Sequence, residues 1–301
     1  MTVLSTSNLS RSYGSRRGVD DINLTLQKGE VFGFLGPNGA GKSTTIRLLL
    51  GFLRPSSGSA SILGMDCWSR SHLIKRDVGY VAGDVRLYPW LTARRAFQIV
   101  SEIRGTPLHR EGMQLAERFR LEPDLPVRKM SRGNRQKVAL VLALVHRPKL
   151  VILDEPTSGL DPLMQATLAD CLREMAVDGH SIFFSSHTLS EVEDLCDRVA
   201  IVKDGRIVED SNLNRLKTQA PRIAKIRYCD ADTAARCEPP PGIVVTRTTG
   251  AECELQLTGE AAELNRWAAG QQIEDISIGP PDLETLFHRW YDVANPLGED
   301  S

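Results

Sequence analysis

The nine residues Gly36-Pro37-Asn38-Gly39-Ala40-Gly41-Lys42-Ser43-Thr44 constrain this chain more than any other feature. They fill the pattern G-x-x-x-x-G-K-[ST] completely, and they sit between an apolar run, 31–35, and a stretch that reads as a helix, 46–52. A short continuous apolar run is the pattern of a strand buried on both faces. The glycines let backbone N–H groups turn inward onto phosphate oxygens, and the following helix adds partial positive charge at its N-terminus. Lys42 is expected to reach the terminal phosphates, Ser43 to ligate Mg²⁺, and Thr44 to help hold the first phosphate.

Two further strand ends carry chemistry. LVILDEPTSGLDP at 150–162 is a buried strand ending in Asp154-Glu155. A carboxylate at Asp154 can hold the metal's shell, and Glu155 can orient or activate water. SSHTL at 185–189 closes another apolar strand, so His187 falls where a parallel sheet gathers its ligand groups. Strands and helices alternate along this half, which predicts an α/β fold around a mostly parallel sheet. Two half-buried strands at 2–9 and 22–26 precede it, and residues 92–120 read as an all-helical insertion. Asp204-Gly205 between alternating strands predicts a hairpin.

Composition narrows the class. Among 301 residues, 41% are apolar and 25% charged, as in a globular protein, and a net charge of −1 argues against binding nucleic acid along its backbone. The six cysteines show no C-x-x-C pair and no zinc spacing, so they read as reduced thiols used for packing. No apolar run reaches the ~18–20 residues of a membrane span, and the N-terminus lacks the pattern of a signal peptide. Past residue 215 the composition shifts to short strands at 223–229, 243–247 and 252–257 and a helix at 260–269. Leu283, Leu286, Phe287, Trp290 and Tyr291 fall on one helical stripe. The expected division is 1–215, with the insertion over about 84–146, and a small α+β domain at 220–301.

MSRGNRQKV at 130–138 looks like a second anion site, because Ser131 and Gly133 stand at the start of a helix. The order of motifs now resembles one family. P-loop, helical insertion, Ser131-Arg132-Gly133-Asn134, Asp154-Glu155, Ser158-Gly159-Leu160-Asp161 and His187 together are similar to the nucleotide-binding domain of ABC ATPases. The C-terminal LETLFHRWY resembles the exporter branch that includes antibiotic, polysaccharide and lipid exporters. The resemblance implies a P-loop core of ABC type with an antiparallel β subdomain and a helical subdomain. It implies ATP and Mg²⁺ as cofactors and a head-to-tail dimer, homo- or heterodimeric. In that dimer Ser131, Gly133 and Asn134 of one subunit cap the phosphate held by the other, and Asp161 communicates between sites. Tyr13 resembles the aromatic residue that stacks on adenine, with plain packing as the alternative.

The same resemblance implies separate transmembrane permease subunits and a peripheral place on the cytoplasmic face of the membrane. Leu87, Tyr88, Pro89 and Trp90 are either the docking surface or packing for the insertion. Two departures stand out. Gly83 occupies the position where the family carries a metal-contacting glutamine, which leaves Asp84 as a substitute metal ligand. Arg132 and Asn134 replace the usual signature residues. A soluble ABC ATPase acting on ribosomes or nucleic acid is the alternative function; such proteins usually carry two ATPase domains or coiled-coil inserts, absent here.

Overall fold

A computed structural model describes residues 1–14, 16–257 and 261–281, together with Leu283 and Phe287. The chain divides into two compact units, Met1–Asp210 and Ser211–Ser301.

In the first unit, β1 (Thr2–Tyr13) and β2 (Arg16–Gln27) form a long antiparallel ribbon. β3 (Val31–Leu35) leads through the glycine loop into α1 (Lys42–Leu49). β4 (Ser57–Ile62) and the two-residue β5 (Met65–Asp66) return to the ribbon, giving a sheet ordered β2-β1-β4-β5. The short α2 (Ser71–Ile74) precedes β6 (Val78–Val81). Three helices follow, α3 (Ala93–Arg104), α4 (His109–Arg118) and α5 (Arg132–Leu144). Then come β7 (Leu150–Asp154), α6 (Pro162–Val177), β8 (Ser181–Ser186), α7 (Leu189–Leu195), β9 (Arg198–Lys203) and β10 (Arg206–Asn212).

The second sheet has the order β10-β9-β3-β8-β7-β6, with β9, β3, β8, β7 and β6 mutually parallel. Every residue of β3, β7 and β8 is buried, as the continuous apolar runs predict for strands covered on both faces. Phe32 and Phe34 pack on Phe183 of the neighbouring strand, with ring centroids 5.7 and 5.2 Å apart. The hairpin at Asp204-Gly205 forms, and both residues have positive φ (48° and 79°), the geometry of a type I′ turn.

The stretch 92–120 holds α3 and α4. Thr92 caps α3 by accepting from Arg95 N, and Gly105 ends it in the left-handed region. α4 approaches closely at Gly112, where a Cβ would lie 2.7 Å from the Phe97 ring.

The second unit contains α8 (Leu213–Gln219), β11 (Arg222–Tyr228), α9 (Ala231–Ala235), β12 (Ile243–Thr249), β13 (Glu252–Leu257), α10 (Ala261–Ala268) and β14 (Ile273–Pro281). Its antiparallel sheet is ordered β12-β13-β11-β14 around a core of Ile226, Tyr228, Leu255, Leu257 and Leu264. β14 is a strand that the periodicity did not reveal. Leu283 and Phe287 are helical and buried. Leu286, Trp290 and Tyr291 lie outside the described residues.

Candidate functional site

The phosphate loop is built by close approach. Gly41 has φ +106°, and a Cβ there would lie 2.7 Å from Val19 and 2.9 Å from the Gly18 carbonyl. No residue with a side chain fits that backbone. The Asp204-Gly205 turn braces the loop from outside: Gly205 N donates to the Ala40 carbonyl, and Asp20 N donates to the Gly205 carbonyl. The loop therefore sits clamped between β2 and the β9–β10 turn, with α1 starting at Lys42. It lines a cleft of 410 Å³ with Pro37, Asn38, Gly39, Lys42, Ser43 and Thr44, and Tyr13 and Glu155 complete the wall. Tyr13 is 42% exposed, with its ring against Gly18, where any Cβ would come within 2.8 Å. The Arg11 guanidinium lies over the ring, 5.1 Å from its centroid, so Tyr13 is a partly exposed wall residue and not part of the core. Gly36 and Ala40 are buried behind the loop.

Three adjacent strands deliver the charged groups. Lys42 follows β3, His187 follows β8 and Glu155 follows β7, and these strands are neighbours in that order. Lys42 is only 5% exposed, and its Nζ donates to the carbonyls of Gly36 (2.6 Å) and Pro37 (3.1 Å). The same Nζ lies 3.4 Å from Glu155 Oε1, and His187 Nδ1 lies 3.3 Å from that oxygen. Glu155 adopts φ +49°, a backbone that residues with a Cβ rarely take. Such an outlier persists when its surroundings hold it, and such outliers cluster at functional sites. Here Glu155 N donates to the Ser185 carbonyl, which fixes the turn.

Asp154 is buried, and burial pushes its carboxyl above the usual carboxylate range. Hydrogen bonds from Ser43 and Ser185 pull it back, the latter at 3.3 Å. A buried carboxylate beside a loop hydroxyl is a hard oxygen donor pair, which suits Mg²⁺ completed by water and phosphate oxygens. No cluster of three or more His, Cys, Asp or Glu stands ready for a metal among the described residues. Ser185 was not singled out from the sequence; the parallel register that sets it opposite Asp154 supplies the signal.

Asp84 does not join this group in the structure. It is largely exposed, and its Oδ2 accepts from Arg86 Nε at 2.8 Å. Gly83 is the residue beside Asp154: a Cβ there would lie 3.4 Å from the Asp154 carbonyl and 3.7 Å from Oδ2.

Ser131 caps α5, its Oγ accepting from Asn134 N at 3.1 Å. Gly133 is pressed against the loop that follows Glu155, for a Cβ would meet the Gly159 carbonyl at 2.4 Å. Arg132 Nη2 donates to Ser158 Oγ, and Gln136 Nε2 to the Pro156 carbonyl. Asp161 caps α6 by accepting from Met164 N. None of Ser131, Gly133, Asn134 or Asp161 lines the phosphate cleft of its own chain.

The sequence model of the family described as ABC transporter matches residues 19–158. The bacitracin transport ATP-binding protein BcrA of Bacillus licheniformis is 36% identical over 238 residues, covering 77% of each chain. The ABC transporter ATP-binding protein YdbJ of Bacillus subtilis, itself uncharacterized, is 35% identical over 310 residues, covering 99% of this chain and 98% of its own. A solved ATP-binding subunit of an ABC transporter superposes with a TM-score of 0.68 at 31% identity, covering 72% of this chain and 92% of that one.

Proposed function

The chain belongs to the family of ABC transporter ATP-binding proteins, and on that premise we propose that it powers an exporter by driving separate membrane-spanning permease subunits. It is an ATPase of that family, turning ATP and water into ADP and phosphate. The observation that carries the reading is the convergence of Lys42 and His187 on one carboxylate oxygen of Glu155, the three residues following three adjacent strands.

The residues divide the work. Backbone N–H groups of 38–44 and the start of α1 cradle the phosphates. Lys42 exchanges its contact with Glu155 for the phosphate charge, which frees the carboxylate. Glu155 then orients water or takes its proton, and His187 holds that carboxylate in line and reaches the terminal phosphate. Ser43 and Asp154 would hold Mg²⁺, which when bound neutralises charge building on the phosphate oxygens. Asp84, tied to Arg86, is left out of this set. Tyr13 offers its ring to the adenine base.

The signature segment works across a dimer. Ser131, Gly133 and Asn134 present donors that do not face their own chain's cleft, so they serve the nucleotide of a second cassette, a copy of this chain or another ATPase subunit. Asp161, which caps α6, would carry the communication between the two sites. No helix among the described residues is long and apolar enough to cross a membrane. Tyr88 and Trp90 instead form an exposed stacked pair, centroids 5.8 Å apart, suited to docking on a permease at the cytoplasmic face. The export direction rests on the resemblance of the C-terminal LETLFHRWY to the exporter branch.

The test is a detergent pull-down of tagged Glu155→Gln protein with ATP and Mg²⁺, read by mass spectrometry. A polytopic membrane protein in near-equal amount is the expected outcome. Ribosomal proteins or nucleic acid in its place would overturn the transporter reading.

A further inference from the structure

A depression of 660 Å³ opens on the first unit, and none of its lining residues belongs to the phosphate cleft. Three separate segments build it: His72, Lys75 and Arg76 around α2, Arg104 and Thr106 at the end of α3, and His146 after α5. Three permanent cations thus face one cavity, and no carboxylate lines it. Asp77, next in the chain to Arg76, does not line the cavity; it pairs with Lys149 at 3.3 Å, and its charge also reaches Arg104 and His146 from behind the wall. Cations gathered in excess of the carboxylates around them repel one another, and such a concave surface concentrates anions.

The cations are also held in position. Arg104 Nη1 donates to the Arg76 carbonyl at 2.9 Å, which ties the two segments together at the cavity. Lys75 Nζ stands 4.5 Å from the centroid of the Phe52 ring, a cation–π contact that restrains its long side chain. The Arg76 guanidinium has no carboxylate partner among the described residues. Both ring nitrogens of His146 are buried in the wall, near the backbone groups of Val78 and Leu142. Guanidinium and ammonium groups lining one cavity from different elements suit the oxygens of a phosphate group.

We propose that this depression binds a phosphate-bearing anion through Lys75, Arg76 and Arg104. The chemistry is shared by a free phosphate compound and by the headgroup of an anionic phospholipid, and the experiment separates them. The full chain is saturated with ADP so that the glycine loop is filled. Pyrophosphate is then titrated by calorimetry, and in parallel the protein is sedimented with phosphatidylglycerol or phosphatidylcholine vesicles. The same is done with Lys75→Gln/Arg76→Gln. Arg128→Gln/Lys129→Gln serves as a control, making the same charge change at exposed positions elsewhere.

Loss of two charge-assisted contacts should weaken binding roughly tenfold or more. Pyrophosphate binding that falls by that factor in the first variant and not in the control supports a soluble ligand. Sedimentation with phosphatidylglycerol alone, lost in the first variant and kept in the control, supports a headgroup. Binding to neither probe, or equal loss in both variants, overturns the proposal.

Discussion

Glu155 Oε1 lies 3.4 Å from Lys42 Nζ, so the residue proposed to act on water is ion-paired to the residue proposed to hold the phosphate. The pair is largely shielded, Lys42 being buried and Glu155 26% exposed, so each group strongly sets the other's position. Arrival of a phosphate competes for the ammonium and releases the carboxylate. Glu155→Gln keeps the shape and removes the charge. Nucleotide binding should therefore persist, while kcat falls ~10²–10⁴-fold, the range for loss of a positioned general base. Single-turnover kinetics and gel filtration with ATP check both halves, with a stable dimer expected. Hydrolysis at the parental rate would remove Glu155 from the mechanism.

Gly133 allows α5 to start against the Gly159 carbonyl, where a Cβ would come within 2.4 Å. Gly133→Ala must push the signature helix away from the loop 155–161 and stretch the Arg132–Ser158 hydrogen bond. Overpacking of this kind costs ~1–3 kcal/mol, or several degrees of melting temperature in a unit of this size. ATPase activity should fall further than stability alone explains, because the donors at 131–134 would be displaced. An unchanged melting curve would show that this contact relaxes freely.

The motif-bearing strand ends were legible in the sequence because each is a buried run that stops at a charged or glycine-rich turn. Asp204-Gly205 was legible for a similar local reason: both positions need positive φ. What sequence could not show is adjacency. Ser185 reaches Asp154 only because β7 and β8 are parallel neighbours in that register. Asp84 looked like a stand-in for the missing glutamine, yet β6 ends at Val81, the chain bends at Gly83-Asp84, and Asp84 meets Arg86. β14 was missed because Glu274-Asp275 and Pro280-Pro281 interrupt its alternation; as an edge strand it pairs on one side with β11 alone.

Gly83 leaves room for a Cβ in ordinary van der Waals contact with Asp154, 3.4 Å from its carbonyl and 3.7 Å from its carboxylate. The backbone there does not require glycine, so Gly83→Gln should fold normally and place an amide next to the proposed metal position. The Mg²⁺ concentration for half-maximal ATPase activity should drop several-fold, and the melting temperature should hold. An unchanged Mg²⁺ dependence in a folded variant would mean that position 83 does not reach the metal.

Tyr88 and Trp90 are 69% and 57% exposed, and their rings stack on each other with an interplanar angle of 21°. Exposure on that scale argues against their packing the insertion onto the core. A rigid aromatic pair of this kind is a typical anchor at an interface, where truncation costs ~2 kcal/mol or more. Trp90→Ala should reduce co-purification with membrane subunits by at least roughly tenfold and leave ATP affinity intact. Equal recovery of the membrane partner would sink the docking role.

His146 gives the fold a defined sensitivity to acid. Burial is the largest influence on its imidazole, the Arg104 charge adds to it, and together they push its pKa from 6.5 down to about 4. The backbone groups of Val78 and Leu142 and the charge of Asp77 favour the protonated ring but do not offset this. A histidine with a depressed folded pKa binds fewer protons folded than unfolded between those two values, so stability declines as pH falls from 6.5 towards 4. By linkage the loss from this one residue is ~2 kcal/mol at pH 5 and negligible at pH 7.5. His146→Leu keeps an apolar filler and removes the titration. Urea unfolding at both pH values should give the variant a shallower decline than the parent, by about that amount. Parallel declines in the two proteins would show that the ring ionises in the folded state at no cost.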